Sequence, residues 1–185
     1  MGGVKSFTLK KVIDLKAAGV GVPLAMKEDT HGNVWIVTEY GLAVCNGEGD
    51  IQTTLRVDVH DISSMAIDGW GNLWLGTRGH GLYRVVPAYR DGKVVECAVR
   101  HFAARDGGLL SNNVEALCAD VKHRKVWIGT MEGNVQAWDA QTNAFKDYSS
   151  LFYTYINETV NDIMAGQDGH IWISTAKNVL EFNPD

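Results

Sequence analysis

Cysteine and proline are scarce, with three of each in 185 residues. Cys45, Cys97 and Cys118 stand far apart. They form no C-x-x-C pair, which argues against a zinc ribbon or a thioredoxin-like redox motif. Cys45 and Cys118 read as small buried hydrophobes on strands, and one disulfide with a spare thiol stays open. No apolar run is long enough to span a membrane. No run of Lys or Arg exceeds Lys10-Lys11, and the net charge is −5. That balance argues against nucleic acid as a partner, because such binders carry a basic face. H-E-x-x-H, G-x-S-x-G, P-loop and EF-hand patterns are also missing. The chain is therefore expected to hold no catalytic constellation, no metal site and no cofactor.

Tryptophan, by contrast, is plentiful, with six residues. Four of them share one phrase. Asp68-Gly69-Trp70-Gly71-Asn72-Leu73-Trp74-Leu75-Gly76-Thr77 is a polar turn followed by aliphatic-Trp-aliphatic, one further residue and Thr. Variants of it surround Trp35, Trp127 and Trp172. The copies recur at roughly 40 to 50 residues, a period that short strands produce in propeller blades.

The repeat predicts an all-β fold, a β-propeller of four blades with four antiparallel strands each. Residues 1–185 form a single propeller domain or segment, with blades at about 22–57, 63–103, 114–148 and 160–183. Gly- and Asn-containing turns separate the strands, as tight hairpins require. The last blade supplies only three strands, and the alternating stretch 7–12 could add the fourth and close the ring. The alternatives are an arc of a larger propeller, or half of a ring completed by a second copy. The segment 149–158, with Phe152, Tyr153 and Tyr155, reads as an aromatic connection able to hold a helical turn.

Blades are covered on both faces by their neighbours, so their central strands lose polar alternation. Trp35, Trp74, Trp127 and Trp172 are accordingly expected between blades. Trp70, in a turn, and Trp138, late in a strand, fall outside this pattern and are candidates for a surface role. Gly76 and Gly129 suit close approach of a neighbouring backbone. The Thr that ends each phrase is expected to bond within its turn. His31, His123 and His170 fall in turns of separate blades, a solvated position. Asp68-Gly69 and Asp168-Gly169 read as turn signals. Asn157-Glu158-Thr159 matches a glycosylation acceptor, which chance explains.

Propellers bind at the face where the loops between blades meet the loops joining the second and third strands. Those loops contain Glu39, Tyr40, Arg78, His80, Asn112, Asn113, Met131, Glu132, Tyr153, Tyr155, Lys177 and Asn178. The ligand-binding candidates are Tyr40, Arg78, His80, Asn112, Asn113, Glu132, Tyr153, Tyr155 and Lys177. Aromatics with Arg, Glu and Asn suit a carbohydrate or another small molecule, stacked on rings and specified by a few polar groups. A polar rim without a ligand is the plainer reading.

Asp68 to Arg84 and Gly108-Leu109-Leu110-Ser111-Asn112-Asn113-Val114 resemble the two-component regulator propeller repeat, most closely in the second and third copies. The fourth departs, with Gly166 for Asp and Asn178-Val179 for Gly-Leu. The resemblance implies the periplasmic sensor region of hybrid histidine kinases, where such propellers sense glycans or their fragments. It implies further blades as partners, whereas a homodimer belongs to the half-ring reading of the strand count. No kinase, receiver domain or membrane span lies in these residues. The opening Met1-Gly2-Gly3-Val4 lacks the apolar core of a signal peptide. A mature or excised segment, or a cytoplasmic protein, is expected on that ground. The repeat is also similar to that of streptogramin lyase-type propellers, which are metal-dependent enzymes. A scaffold for protein contacts is the third reading.

Overall fold

The computed structural model describes residues 8–57 and 59–185. The chain is all-β and forms the blades of a β-propeller. Blade 1 contains β1 (Pro23–Glu28), β2 (Val34–Thr38), β3 (Gly41–Cys45) and β4 (Ile51–Leu55). Blade 2 contains β5 (Ile62–Ile67), β6 (Leu73–Thr77), β7 (Leu82–Arg90) and β8 (Lys93–Phe102). Blade 3 contains β9 (Val114–Asp120), β10 (Lys125–Thr130), β11 (Val135–Asp139) and β12 (Ala144–Asp147). A short helix, α1 (Ser149–Phe152), leads to blade 4, which has β13 (Asp162–Ala165), β14 (Ile171–Ser174) and β15 (Val179–Phe182). Every blade is an antiparallel meander in chain order.

The tryptophan phrase is the second strand of each blade, and its register fixes which way the indole points. Trp35 stands opposite Val44, Trp74 opposite Arg84 and Trp127 opposite Ala137. Each indole faces the following blade, while the aliphatic residues on either side of it face the preceding one. Trp35 thus packs with Leu73 and Leu75, Trp74 with Val126 and Ile128, and Trp127 with Ile171 and Ile173. All three indoles are fully buried. Each would remove about 200 Å2 from water, and truncating one to Ala would cost on the order of 3–5 kcal/mol.

Gly76 and Gly129 let the blades close up, but against a side chain rather than a neighbouring backbone. A Cβ at Gly76 would lie 2.6 Å from Val114 Cγ1, and one at Gly129 would lie 2.7 Å from Val160 Cβ. Those valines open the next blade, so the repeat fits a small residue to a branched one.

The N-terminal stretch departs from expectation. Phe7 lies outside the described residues, and residues 8–12 form no strand and join no sheet, so blade 4 has three strands. Lys11 instead reaches the β3–β4 turn, its Nζ 2.6 Å from Asp50 Oδ1 and 3.1 Å from the Glu48 carbonyl. Behind it, Ile13, Leu15 and Val20 pack on Ile36, Ala43 and Cys45. Burying these apolar residues on the open side of blade 1 outweighs an edge pairing that Thr8–Val12 could make. Among the described residues the buried apolar side chains gather in four clusters, and none joins blade 4 to blade 1.

Candidate ligand-binding face

Antiparallel meanders alternate their ends. The β2–β3, β6–β7, β10–β11 and β14–β15 loops therefore share one face with the connections between blades. On that face the connecting loops are stitched to the strand loops of the blades they join. Arg78 N–H donates to the Asp61 carbonyl, Gly79 and Gly81 N–H to that of Asn112, and Met131 N–H to that of Asn113. Val160 N–H donates to the Thr130 carbonyl in the same way. The strand-ending threonines brace these loops from inside. Thr77 Oγ1 donates to the Gly81 carbonyl at 2.8 Å, and Thr38 Oγ1 lies 2.6 Å from the Val20 carbonyl oxygen.

One cavity of about 530 Å3 opens here beside blade 1 and the connection that leaves it, lined by Gly19, Glu39, Tyr40, Arg56, Val57 and His60. Tyr40 is exposed and is the one predicted binding residue on its wall. His80 lies alongside, its ring 6.2 Å from that of His60 and its Nε2 3.7 Å from Asp61 Oδ2. Arg78 comes next but is engaged. Its Nε and Nη2 meet the two Glu115 oxygens at 2.7 and 3.0 Å, a bond that raises the guanidinium's proton affinity.

The remaining candidates are spread along the face and largely employed in holding it. Asn112 Oδ1 accepts Ala104 N–H at 2.8 Å, and Asn113 Nδ2 donates to Glu132 Oε1 at 2.6 Å. Burial alone would raise the Glu132 carboxyl, but hydrogen bonds from Ser111, Asn113, its own N–H and Thr130 hold it below the ordinary value. Lys177 Nζ pairs with Glu158 Oε2 at 3.3 Å. Tyr153 and Tyr155 are exposed beside blade 4, away from the cavity. The sequence pattern missed Arg56 and His60. β4 stops at Leu55, two residues earlier than the alternation suggests, which places Arg56 in the loop.

A second cleft of about 600 Å3 runs between the innermost strands β5, β9 and β13, with Lys27 of β1 at its edge. Ser63, Cys118, Asn161 and Asp162 are among its polar lining. Burial pushes the Cys118 thiol up to about 11, so it stays protonated and unreactive at neutral pH.

Two readings of the turns on the opposite face need correction. Trp138 is buried, only 3% exposed, in the core between blades 2 and 3. His123 is not solvated either. Its ring is sequestered, with Nδ1 2.7 Å from Asp120 Oδ2 and Nε2 3.1 Å from Asp185 Oδ1. Also on that face, Asp168, His170 and Glu181 bring three potential metal-ligand atoms within 4.8 Å of one another. His170 Nδ1 is 2.8 Å from Glu181 Oε1, and that bond raises the imidazole's affinity for its proton. A salt-bridged hairpin accounts for the group.

The fold defines a β-propeller segment with a loop-lined cavity on one face. No family model and no curated protein matches the chain. Solved structures do. The chain is similar to the extracellular domain described as that of a hybrid two component system of B. thetaiotaomicron. The identity there is 17% and the TM-score 0.60, over 90% of this chain and 21% of that one. It is also similar to the β-propeller domain of Cps50 (Swd1) from Myceliophteria thermophila, at 11% identity and TM-score 0.64, over 90% and 55%. YCF48 from Cyanidioschyzon merolae matches at 17% identity and TM-score 0.63, over 95% and 54%. The chain thus spans about a fifth to a half of the structures it matches, and the likeness is one of fold.

Proposed function

We propose that this propeller segment is the ligand-sensing part of an extracellular or periplasmic two-component sensor and binds a small, neutral, glycan-derived molecule. The observation that carries the reading is the cavity walled by Tyr40, Arg56 and His60 on the loop face. It joins an exposed ring for apolar stacking to a cation, an imidazole and the Glu39 carboxylate, the mixture that orients a polyol. The likeness in fold to an extracellular sensor domain supports the same direction.

A panel of neutral oligosaccharides, followed by thermal unfolding, tests it. A binder present at 100 times its Kd adds about 2.7 kcal/mol to stability. That gain should disappear in Tyr40→Ala and His60→Ala, both of which sit at the surface. Stabilisation by no sugar, or stabilisation retained in both variants, would remove the cavity as the site.

A further inference from the structure

On the opposite face, blades 2 and 3 meet in a notch of about 150 Å3 lined by Trp70, Arg84, Arg124, Trp138, Ala140 and Asn143. We propose that this notch binds a small oxyanion, held by Arg84 and Arg124 between the indoles of Trp70 and Trp138.

The first ground is a group of cations without ion pairs. Arg84 stands directly across the sheet from Trp74 on one side and Arg100 on the other. All three side chains therefore project toward blade 3, and like charges placed opposite one another repel. Among the described residues, neither Arg84, Arg100 nor Arg124 makes an ion pair. This is unexpected in a chain of net charge −5, where carboxylates outnumber cations. Asp68 is an acid whose charge acts on Arg84 without forming an ion pair with it. Its oxygens are already taken by Trp74 Nε1, Asn72 and the Trp70 N–H. Aromatic faces lie against the guanidiniums instead of ion-pair partners: Arg84 lies 5.3 Å from the Trp74 centroid and 5.7 Å from that of Trp138, and Arg124 lies 5.3 Å from that of Trp70.

The second ground is an unsatisfied donor. Arg84 Nε is buried and has no hydrogen-bond partner. A buried guanidinium N–H left open is unfavourable, and an oxyanion in the notch would satisfy it with a charge-assisted bond.

The third ground is backbone strain at Arg124. Gly32, Gly71 and Gly169, each three residues before the repeat tryptophan, take φ of +78, +79 and +92°. Arg124 occupies the same place in blade 3 with φ +57°. Three blades use the residue that adopts this conformation freely, and the fourth uses one whose Cβ opposes it. Strain of this kind persists where a side chain is needed. What Arg124 gains in exchange is its place beside Trp70 on the notch.

Arg124→Gly restores the residue of the other three blades and is expected to fold with equal or greater stability in chloride. Calorimetric titration and thermal unfolding with inorganic sulfate, inorganic phosphate and glucose 6-phosphate, at ionic strength held constant with sodium chloride, then read the site. The wild-type chain should bind and be stabilised, with Trp70 fluorescence changing. Affinity should fall at least about tenfold, or about 1.4 kcal/mol, in Arg124→Gly and in Arg84→Gln. Glucose 6-phosphate binding about tenfold tighter than inorganic phosphate would assign the site to an anionic group on a sugar, stacked on Trp70. Equal affinity would assign it to the free ion. No binding, or equal binding in wild type and Arg124→Gly, would overturn the proposal. Because the notch and the Tyr40 cavity lie at opposite ends of the strands, failure of either leaves the other intact.

Discussion

Trp74 Nε1 donates to Asp68 Oδ2 across 2.8 Å, within the core between two blades. The same bond ties Trp35 to Asp29 at 2.9 Å and Trp127 to Asp120 at 3.0 Å. Each carboxylate also accepts backbone N–H groups of its own turn, so a single side chain shapes the hairpin and satisfies the indole. Blade 4 has Gly166 at the corresponding place and lacks the bond.

Asp68→Ala would leave the Trp74 N–H and the Asn72 N–H buried without acceptors. Unmet donors of this kind cost roughly 1–3 kcal/mol each, so a loss of about 3 kcal/mol in urea unfolding is expected. The loss should come with a loosened β5–β6 turn. A change below about 1 kcal/mol would show that water replaces the carboxylate, contrary to the burial of Asp68.

The Asp29 carboxylate predicts an acid limb. Burial would raise its pKa, but hydrogen bonds from Trp35, Asn33 and His31 outweigh it and hold the value below the ordinary one. A folded-state pKa lower than the unfolded one stabilises fully above the unfolded value of about 4. That contribution is lost as pH falls through the folded value. Thermal midpoints measured from pH 6 to pH 2.5 should therefore fall in acid, and Asp29→Asn should be less stable at pH 6 with a shallower fall. A parallel fall in both proteins would assign the acid limb to other groups, such as the surface pair of Asp50 with Lys11.

The sequence made the blades legible because the signal is periodic. Val34–Thr38 and Leu73–Thr77 are apolar on both faces, as strands of a sheet covered on both sides are. The ends and loops were less legible. Thr8–Val12 alternates like a strand, yet Ile13, Leu15 and Val20 are what dock, on the open side of blade 1. Trp138 escaped because it comes late in β11, where only the shape of the neighbouring blade decides burial. Arg56 falls inside an alternation that outruns β4, and His60 carries no periodic signature. His123 was misread because the β9–β10 turn has one residue more than its counterparts, which brings the ring under Asp120.

Gly129→Ala should act as a wedge. The new methyl would press on Val160 at the start of blade 4 and approach Ala116 Cβ at 3.3 Å. Overpacking of this sort costs about 1–3 kcal/mol, here at the seam between blades 3 and 4. Pairing it with Val160→Ala should recover most of the loss, since the clash is with that one side chain. Failure of the pair to recover would place the strain in the β10 backbone instead.

Trp172 completes the series by contrast. Trp35, Trp74 and Trp127 are 0% exposed because the aliphatic residues of a following blade cover each of them. Trp172 is half-buried, on the face of blade 4 that also carries Met164 at 56% and Val179 at 70% exposure. With no carboxylate at Gly166 and no following sheet among the described residues, its ring meets solvent that the other three never see. In a Trp70→Phe background, which removes the exposed indole of the β5–β6 turn, acrylamide should quench mainly Trp172. Adding Trp172→Phe should then abolish most of the accessible emission at little cost in stability, whereas Trp127→Phe should leave the accessible fraction intact while weakening the core. Quenching unchanged by Trp172→Phe would mean that this face is covered in solution, as the repeat geometry would allow for one more blade laid against it.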